Sequence, residues 1–384
     1  MSTDADDPLD DDGEPKVREP KQREVKYEHS RDFISILEQI SSTLMISTYQ
    51  AGKLVAVGTH QGQLELSFHN FEQAMGIAVS PRKIAVGSKG SVWIMRSAPD
   101  IAARIEPLGK FDGCFLARIG YATGELHGHE MAWIGDELIV VNTLFSCICT
   151  VSDSFSFLPR WRPPFISNLA AEDRCHLNGM AMVDGVPRYV TMMAETDEKA
   201  GWRPNKVTTG LIMDIPSGQA VVRGLAMPHS PRVYQGQLFV LDSGHGRLSA
   251  VEVATGRLAT VAALPGYTRG LAFHGPYAFV GLSKIRETST FGGVPIAEDR
   301  KKLKCGVGVI HLPTGRLAAH LEFVTGVEEI FDVQLIPNMR NAAFQGPSSS
   351  NDGHPAIWSV PMSARDAQTP KEPVPESWRA PWKR

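Results

Sequence analysis

Histidines and oxygen-bearing side chains recur at the start of short apolar stretches in this sequence. The set comprises His129, Glu130, His176, Asn178, His229 and Glu329. Imidazole nitrogens suit zinc, copper, nickel or iron, whereas carboxylate and amide oxygens suit a hard cation such as calcium. The oxygen-bearing members are therefore candidate calcium ligands, and the histidines with Glu130 are candidate ligands of a transition metal. Alternatively, these side chains cap strands and bond neighbouring backbone groups.

A second set of residues combines cations with indoles. Its members are Arg160, Trp161, Arg162, Trp202, Arg203, Lys206, Arg269, Lys284 and Arg286. Guanidinium groups form forked hydrogen bonds with carboxylates and phosphates, and indoles stack on flat or sugar-like faces. The set therefore indicates a small anionic or carbohydrate-like ligand, to which His176 could also bond. Alternatively, the segment "PRWRPP" is a structural clamp in which tryptophan covers the core and arginine reaches solvent.

Proline and glycine separate short β-branched runs along most of the chain, which is typical of an all-β fold. Two helices are predicted, at 31–41 and 296–303. The segment 229–265 consists of four predicted strands joined by tight glycine-containing turns. Similar openings recur at residues 75, 130, 178, 230, 269 and 329, a period of roughly 40 to 60 residues. Four-stranded units at this period predict a six-bladed β-propeller.

The two ends of the chain jointly supply one predicted blade. Residues 44–71 form three strands without an opening strand, and "EIFDVQLIP" (329–337) supplies an opening strand without followers. Joining them closes the ring and leaves no exposed sheet edge. We therefore predict one propeller domain over residues 29–362, between a disordered charged tail at 1–28 and a flexible tail at 363–384.

Antiparallel alternation places the first residues of the six innermost strands around the mouth of the central channel. These residues are Met75, Glu130, Asn178, His229, Arg269 and Glu329. The ends of the second strands approach the same face and add Asn142, Glu195, Asp242, Ser243 and Lys284. Three long insertions, at 152–175, 196–210 and 284–306, also fall on this face. Long loops inside compact domains usually carry function, so this face is the predicted working surface.

The composition limits the classes of partner. The net charge of -3 argues against a nucleic-acid surface. No apolar run approaches the roughly 20 residues that span a bilayer, and the acidic N-terminus lacks the pattern of a secretory signal. Five scattered cysteines fit reduced thiols better than a disulfide framework. We therefore expect a cytoplasmic protein with a small-molecule, glycan or peptide ligand and without a nucleic-acid or membrane partner, in an oligomeric state that stays open.

Several motifs resemble known families. The "NGM" at 178–180 and "VLDSGHGRL" at 240–248 resemble motifs of the gluconolactonase/regucalcin and NHL-type propellers. In the former, a Glu, an Asn and an Asp hold a divalent metal that polarises a lactone or ester, but His229 stands here where that Asp would be. The long string from "VVNTLF" to "GVPRYVT" (140–191), with "MPHSPR" and "TRGLAF", resembles a bacterial conserved-hypothetical domain of unknown function. This resemblance covers residues 40–340 and implies a single propeller without implying a reaction.

Three functions from different classes remain open at this point. The first is a binding module for an anionic, carbohydrate-like or peptide ligand at the channel mouth. The second is a metal-dependent hydrolase or lactonase, and the third is an oxidoreductase or peptide-modifying enzyme with a histidine-ligated metal. In an enzyme, Glu130 and Asn178 would hold the metal and Arg269 would bind the negative charge of the substrate. His229 would be a ligand or general base, because an unperturbed imidazole pKa of about 6.5 suits proton transfer.

Overall fold

Short runs of β-branched and aromatic residues form 26 strands in a computed structural model that describes residues 24–285, 293–348, 352 and 357–360. In chain order, the first thirteen are β1 (Tyr27–His29), β2 (Ser42–Thr48), β3 (Lys53–His60), β4 (Gln63–Asn70), β5 (Ile77–Ser80), β6 (Lys83–Ser88), β7 (Ser91–Ser97), β8 (Gly113–Ala122), β9 (Gly128–Ile134), β10 (Glu137–Asn142), β11 (Cys147–Thr150), β12 (Leu158–Trp161) and β13 (Leu177–Val183). The others are β14 (Val186–Met192), β15 (Gly210–Asp214), β16 (Gln219–Leu225), β17 (Pro228–Tyr234), β18 (Gln237–Asp242), β19 (Arg247–Glu252), β20 (Arg257–Ala263), β21 (Tyr267–His274), β22 (Tyr277–Ser283), β23 (Gly306–His311), β24 (Arg316–Phe323), β25 (Asp332–Pro337) and β26 (Ala342–Gln345).

The strands form six sheets, which are the blades of a six-bladed β-propeller and confirm the predicted fold class. Blade 1 has the order β25-β2-β3-β4 from the channel outward, and blade 2 has β5-β6-β7-β8-β26. Blade 3 is β9 to β12, blade 4 is β13 to β16, and blade 5 is β17 to β20. Blade 6 has β21-β22-β23-β24-β1. The innermost strands are therefore β5, β9, β13, β17, β21 and β25, at the predicted places along the chain.

Blade 1 joins the two ends of the chain. Its innermost strand β25 pairs antiparallel with β2, from Asp332 opposite Ser47 to Pro337 opposite Ser42. Because β25 follows the other five blades in sequence, blade 1 is complete only when the ring has closed. The prediction that the chain ends share a blade is confirmed.

Two strands that the sequence does not predict cover the outer edges of two blades. Strand β1 pairs antiparallel with β24 on blade 6, and β26 pairs parallel with β8 on blade 2. Both protect edge hydrogen-bonding groups that would otherwise face solvent. Strand β1 also shifts a boundary, because Tyr27 and Glu28 belong to it and not to the predicted tail at 1–28. Residues 361–384, which include the other predicted tail, lie outside the described residues.

Helices are few among the described residues, and one of them fills a gap between blades. Helix α1 (Arg31–Gln39) lies within the predicted range, and its apolar side chains Phe33, Ile36 and Leu37 are buried. They belong to a cluster with residues of blades 1 and 6, including Phe323. The helix α2 (Pro99–Ala102) and the 3-10 helices at Ser243–His245 and Pro295–Lys302 are short. The second predicted helix, at 296–303, therefore has 3-10 geometry. In the described part of the chain, no helix has the length and apolar character needed to cross a membrane.

Candidate functional site

Three histidines from consecutive blades meet at the top of the channel. His129 lies in β9 of blade 3, His176 directly precedes β13 of blade 4, and His229 lies in β17 of blade 5. The ring centroids of His129 and His176 are 5.0 Å apart in an edge-on arrangement. The rings of His129 and His229 are nearly parallel, with centroids 6.4 Å apart. The propeller thus brings together side chains that lie about fifty residues apart along the chain.

The imidazole of His129 is held through its Nδ1 atom. This atom lies 2.8 Å from the carbonyl oxygen of His127 and 2.7 Å from Oγ1 of Thr143. The Thr143 hydroxyl donates its own proton to the carbonyl oxygen of Leu177, at 2.5 Å. Both oxygens facing Nδ1 therefore act as acceptors, which places the imidazole proton on Nδ1 and a lone pair on Nε2.

His176 is held by a carboxylate that a tryptophan fixes in turn. Its Nδ1 lies 2.9 Å from Oδ2 and 3.0 Å from Oδ1 of Asp173. The indole N–H of Trp202 donates to Oδ2 of the same carboxylate at 3.1 Å. The Trp202 ring also covers the imidazole, with centroids 4.3 Å apart. Since an ionised carboxylate only accepts, Nδ1 of His176 is the protonated nitrogen.

His229 has the same orientation. Its Nδ1 lies 3.0 Å from the carbonyl oxygen of Met227 and 3.1 Å from Oγ of Ser243. The hydroxyl of Tyr267 approaches the same nitrogen at 3.5 Å. The Met227 carbonyl can only accept, so Nδ1 carries the proton here as well. In all three imidazoles, Nδ1 faces the protein acceptors and Nε2 is the ring nitrogen left for another partner.

Two of these Nε2 atoms are buried without a hydrogen-bond partner among the described residues, those of His176 and His229. A buried polar atom that lacks a partner costs about 1–3 kcal/mol of stability. The orientation of each ring is nevertheless fixed from its other side by two or more protein atoms. Both rings lie close to that of His129, at 5.0 and 6.4 Å between centroids, so two imidazole nitrogens near one another lack partners at a cost to the fold.

Arg269 supplies a cation beside the histidines. It lies in β21 of blade 6, is 4% exposed, and its guanidinium carbon lies 3.4 Å from the centroid of the Phe331 ring. Its Nη1 is 3.6 Å from Oε1 of the partly exposed Glu329. This distance allows an ion pair but is too long for a hydrogen bond. Its Nη2 is buried and finds no acceptor in the described part of the chain. The guanidinium therefore keeps one donor edge for a further partner.

The positive charge of Arg269 affects the neighbouring imidazoles. Burial lowers the pKa of His129 well below its ordinary value, and the charge of Arg269 adds to this shift. The pKa of His229 is lowered in the same way, first by burial and then by Arg269. Both imidazoles are therefore neutral at neutral pH. The charge of Arg269 thus disfavours further positive charge on either ring.

Several residues of the site have a left-handed backbone. His127, Asp173, His176 and Met227 have φ angles of 52°, 48°, 51° and 52°. This region is costly for residues with a Cβ, and such residues tend to cluster at functional sites. Each of the four belongs to a segment that leads into an innermost strand and carries a site histidine or its partner. Backbone strain and unpartnered polar atoms thus occur in the same place.

Glu130 lies deeper in the channel than the histidines. Its Oε1 is 2.6 Å from Nη2 of Arg232, so the ion pair links blade 3 to blade 5 across the channel. Arg232 also donates to the carbonyl oxygen of Leu271 at 3.0 Å. Burial raises the pKa of Glu130 to about 7, against the opposing effect of Arg232, and the charge of Asp332 adds to the increase. Both residues line a channel cavity of about 300 Å³.

The five predicted metal ligands Glu130, Asn178, His129, His229 and Glu329 do not form one ligand set. Among the residues that the structure describes, no group of three or more His, Cys, Asp and Glu side chains is arranged to hold a metal ion. Asn178 is used by the fold: its Nδ2 donates to the carbonyl oxygen of Pro228 at 3.0 Å, and its Oδ1 accepts from Thr191 at 2.7 Å. Glu130 is paired with Arg232, and Glu329 lies beside Arg269. The predicted calcium and transition-metal sites therefore stay predictions.

Several predicted ligand-binding residues lie away from the mouth. Arg160 and Trp161 belong to β12, the outermost strand of blade 3, and Arg162 follows directly. Arg160 pairs with Glu137 through a short contact, and Trp161 packs against the core between blades. The predicted loop at 152–175 thus supplies an outer strand, which removes its cations and indole from the channel.

The other predicted ligand-binding residues have mixed positions. Trp202 is buried behind His176 and orients Asp173, whereas Arg203 is exposed beyond it, 5.6 Å from the Trp202 ring. Asn142 and Asp242 accept backbone N–H groups at their strand ends, and Asp242 also pairs with His245. Lys284 is partly buried next to the ring-closing segment, where its backbone N–H bonds to Glu328. Arg286 lies outside the described residues.

Sequence reasoning missed several residues that shape the site. They are Thr143, Asp173, Tyr267 and Phe331. Asp173 stands three residues before His176, and this spacing of a carboxylate and an imidazole could have indicated the pair. Phe331 directly precedes β25 and could have been assigned to the mouth in place of Glu329.

The fold and the site together define a six-bladed β-propeller that gathers three imidazoles and one guanidinium at one mouth of its channel. The family model "Domain of unknown function (DUF4915)" matches residues 31–344, and the chain belongs to this family. No curated protein matches the chain.

Solved structures also show similarity to the chain. A chain of a nidogen/laminin complex is 11% identical, with 77% of this chain and 99% of that chain covered and a TM-score of 0.49. A protein of unknown function from Bacteroides caccae is 12% identical over the same shares, with a TM-score of 0.47. At these TM-scores, neither structure supports an inference about this chain.

Proposed function

We propose that the channel mouth binds a small organic anion that also carries hydroxyl groups, such as a sugar acid. The observation that supports this proposal is the meeting of three buried, unpartnered polar atoms at the mouth: Nε2 of His176, Nε2 of His229 and Nη2 of Arg269, as judged over the described residues. One of these atoms is a donor on a cation, and the other two are imidazole nitrogens whose rings hold a proton on Nδ1. A ligand that satisfies all three needs an anionic group and at least two hydrogen-bond donors.

Arg269 is the group that would receive the anion. A guanidinium binds a carboxylate or a phosphate through a planar fork, and burial strengthens such a charge-assisted hydrogen bond. Its position against the Phe331 ring fixes the plane of the fork. Glu329 is partly exposed and lies 3.6 Å from Nη1, so it marks the side on which a carboxylate is accepted.

The histidines would receive the hydroxyl groups. Their Nδ1 protons are committed to His127, Asp173 and Met227, which leaves Nε2 as an acceptor. A hydroxyl can donate to such a nitrogen, whereas a second carboxylate oxygen cannot. This chemistry favours a hydroxylated acid over a simple fatty or dicarboxylic acid.

The charge of the site favours an anion over a metal cation. Arg269 lowers the pKa of His129 and His229 because it opposes positive charge on either ring. A divalent cation at the same place would meet the same opposition, and the described side chains do not converge as metal ligands. We therefore place the binding module ahead of the metal-dependent hydrolase and the metal oxidoreductase.

Isothermal titration calorimetry with three matched probes tests the proposal. Gluconate carries a carboxylate and hydroxyl groups, sorbitol carries only the hydroxyl groups, and hexanoate carries only the carboxylate. We expect gluconate to bind at least tenfold more tightly than either of the others, because it alone satisfies Arg269 and the histidines. Equal affinity for gluconate and hexanoate, or no binding of gluconate, would contradict the proposal.

Variants locate the binding at the mouth. Arg269→Gln removes the charge and the fork, and we expect it to weaken gluconate binding at least thirtyfold, in keeping with the roughly 2 kcal/mol or more that a hydrogen bond to a charged group contributes. Arg257→Gln is the matched control, because Arg257 is exposed and pairs only with Glu252 on β19 among the described acidic residues. Gluconate should bind to the control as it does to the wild-type protein.

A further inference from the structure

The inserted loop between β14 and β15 supports one histidine more elaborately than a structural role requires. Arg174 bridges Glu172 and Asp197 at 2.7 Å each, and the backbone N–H of Ala200 donates to the carbonyl oxygen of Glu172 at 3.0 Å. These contacts fix the loop over the segment that carries Asp173. The loop thereby places Trp202, which donates to Asp173.

The result is a chain of three side chains, in which Trp202 holds Asp173 and Asp173 holds His176. A carboxylate on Nδ1 fixes the imidazole tautomer and stabilises the imidazolium that forms when Nε2 takes a proton. The chain ends at Nε2 of His176, which is buried and has no partner among the described residues. This nitrogen shares the mouth with Arg269, the group that we propose binds the carboxylate.

A second His–Asp pair in the same protein shows what a structural pair looks like. His245 pairs with Asp242 at 2.8 Å with the same three-residue separation. The His245 side chain is 31% exposed, and Asp242 also caps the backbone N–H of Ala226. The His176 pair differs in its burial, in the tryptophan behind it and in the left-handed backbone of both residues.

We propose that His176 is a general base for water and that the mouth hydrolyses a carboxylic ester, cyclic or open, of a hydroxylated acid. This inference rests on the proposed function, because the hydroxylated acid bound there is the product of such a hydrolysis. The site would hold the acyl group at Arg269 and the hydroxyl groups of the acid at the other imidazoles. His176 is then the catalytic residue, and Asp173 and Trp202 are positioning residues.

The reaction needs only water as co-reactant. Water attacks the acyl carbon, its proton moves to Nε2 of His176, and the carbonyl π electrons move to the carbonyl oxygen. Nη2 of Arg269 donates to that oxyanion, which a preorganised donor stabilises. When the intermediate collapses, the bond to the alkoxy group breaks, and the leaving oxygen takes the proton from His176. The product acid then loses its proton to solvent, its carboxylate remains beside Arg269, and the base is restored.

The test combines hydrolysis with binding. Methyl gluconate and γ-gluconolactone are the probes, and proton release is followed with a pH indicator in the full-length wild-type protein and in His176→Gln. Glutamine keeps an acceptor for a hydroxyl group but cannot serve as a base. We expect at least a hundredfold loss of kcat/KM in the variant, with gluconate affinity within threefold of wild type. His245→Gln, the matched control, should hydrolyse the esters at the wild-type rate.

Two further variants keep the proposal testable if His176→Gln fails to fold. Asp173→Asn should lower kcat at least tenfold with little change in KM, because it disturbs the base without removing the ligand contacts. Trp202→Phe keeps an aromatic ring but loses the indole N–H. We expect a loss of kcat smaller than that of Asp173→Asn, with no change in KM. A higher KM with an unchanged kcat in both variants would indicate a merely structural role and would overturn the assignment.

The outcomes separate the two proposals. Wild-type protein that binds gluconate but hydrolyses neither ester overturns the general-base proposal and leaves the binding proposal standing. Hydrolysis that persists in His176→Gln also overturns it. Wild-type protein that does not bind gluconate overturns the binding proposal, and the general-base proposal falls with it.

Discussion

At the scale of single residues, the site depends on which ring nitrogen carries the proton. His129, His176 and His229 each have Nδ1 against a protein acceptor, so Nε2 is in each case the nitrogen left for another partner. The neighbouring Asn178 has the opposite role. Both ends of its amide bond to Pro228 and Thr191, and it is 2% exposed. Of two polar residues two positions apart, His176 therefore leaves Nε2 without a partner among the described residues, whereas Asn178 is used by the fold.

Asn178→Ala should destabilise the protein without abolishing the site. The substitution leaves the Thr191 hydroxyl and the Pro228 carbonyl buried without their partner, which should cost about 3 kcal/mol. Urea unfolding measures this difference, with Gln63→Ala at an exposed position as the control. A free energy of unfolding within 0.5 kcal/mol of wild type, roughly the range of surface substitutions, would refute the structural role.

The sequence predicts part of this residue-scale result. His129, His176, His229 and Arg269 could be placed at the mouth because they stand at strand openings, where only the topology matters. Asn178 stands at an equivalent opening, but strand alternation turns it toward the next blade. A one-residue change of register reverses the direction of a side chain, and the sequence does not fix the register that closely.

At the scale of elements, the loop between β14 and β15 is held to the segment before β13. The Arg174 guanidinium is the link, with Glu172 on one side and Asp197 on the other. The insertion was predicted on the working face, but its partner was not. Contacts between two loops depend on where each folds, and neither loop has a periodic pattern that predicts its path.

Arg174→Gln should loosen this loop. We expect the amide of Ala200, which bonds to Glu172, to exchange at least tenfold faster, because both carboxylates lose their cation. Hydrogen exchange measured by mass spectrometry on peptides covering 196–202 provides the test. Arg188→Gln is the control, since Arg188 pairs with Asp214 elsewhere in the blade. Identical exchange in the two variants would show that Arg174 does not hold the loop.

Strand β12 shows a different limit of sequence reasoning. It contains Pro159, which usually argues against a strand because proline cannot donate to a ladder. The outermost strand of a blade has one free edge and tolerates this loss. The sequence predicts the cations of "PRWRPP" at the channel mouth, because the insertion at 152–175 falls on that face. The structure has them at the rim of blade 3.

At the scale of the whole molecule, the ring is linked across its channel as well as around it. Blade 1 closes the circle through β25 and β2, and the ion pair of Glu130 with Arg232 connects blades 3 and 5. The circular arrangement could be predicted because each end of the chain supplies the strands that the other end lacks. The cross-channel pair could not, since it requires the direction of two side chains inside the channel.

Glu130 makes stability depend on pH in a defined direction. Its pKa is about 7 in the folded protein, against 4.5 for an unperturbed carboxyl group. Folding therefore favours the protonated form, and the stability gained in this way is full below pH 4.5 and is lost as the pH rises through 7. Glutamine resembles the protonated form at every pH. Relative to wild type, Glu130→Gln should thus gain about 2–3 kcal/mol between pH 5 and pH 8.

Urea unfolding of both proteins at pH 5 and pH 8 measures this gain. The histidines also titrate, since burial and Arg269 lower the pKa of His129 and His229. Their effect runs in the opposite direction, because stability is lost as the pH falls below the unfolded imidazole value. It is common to both proteins and cancels in the comparison. Glu195→Gln on the protein surface should show no such gain, and a pH-independent difference for Glu130→Gln would contradict the account.

A crystal structure of the protein grown with saturating gluconate tests the central claim most directly. The account predicts the carboxylate within hydrogen-bonding distance of Arg269, with at least one hydroxyl group on Nε2 of His176 or His229. Gluconate bound at another surface, or the same imidazoles converging on a metal ion, would contradict it.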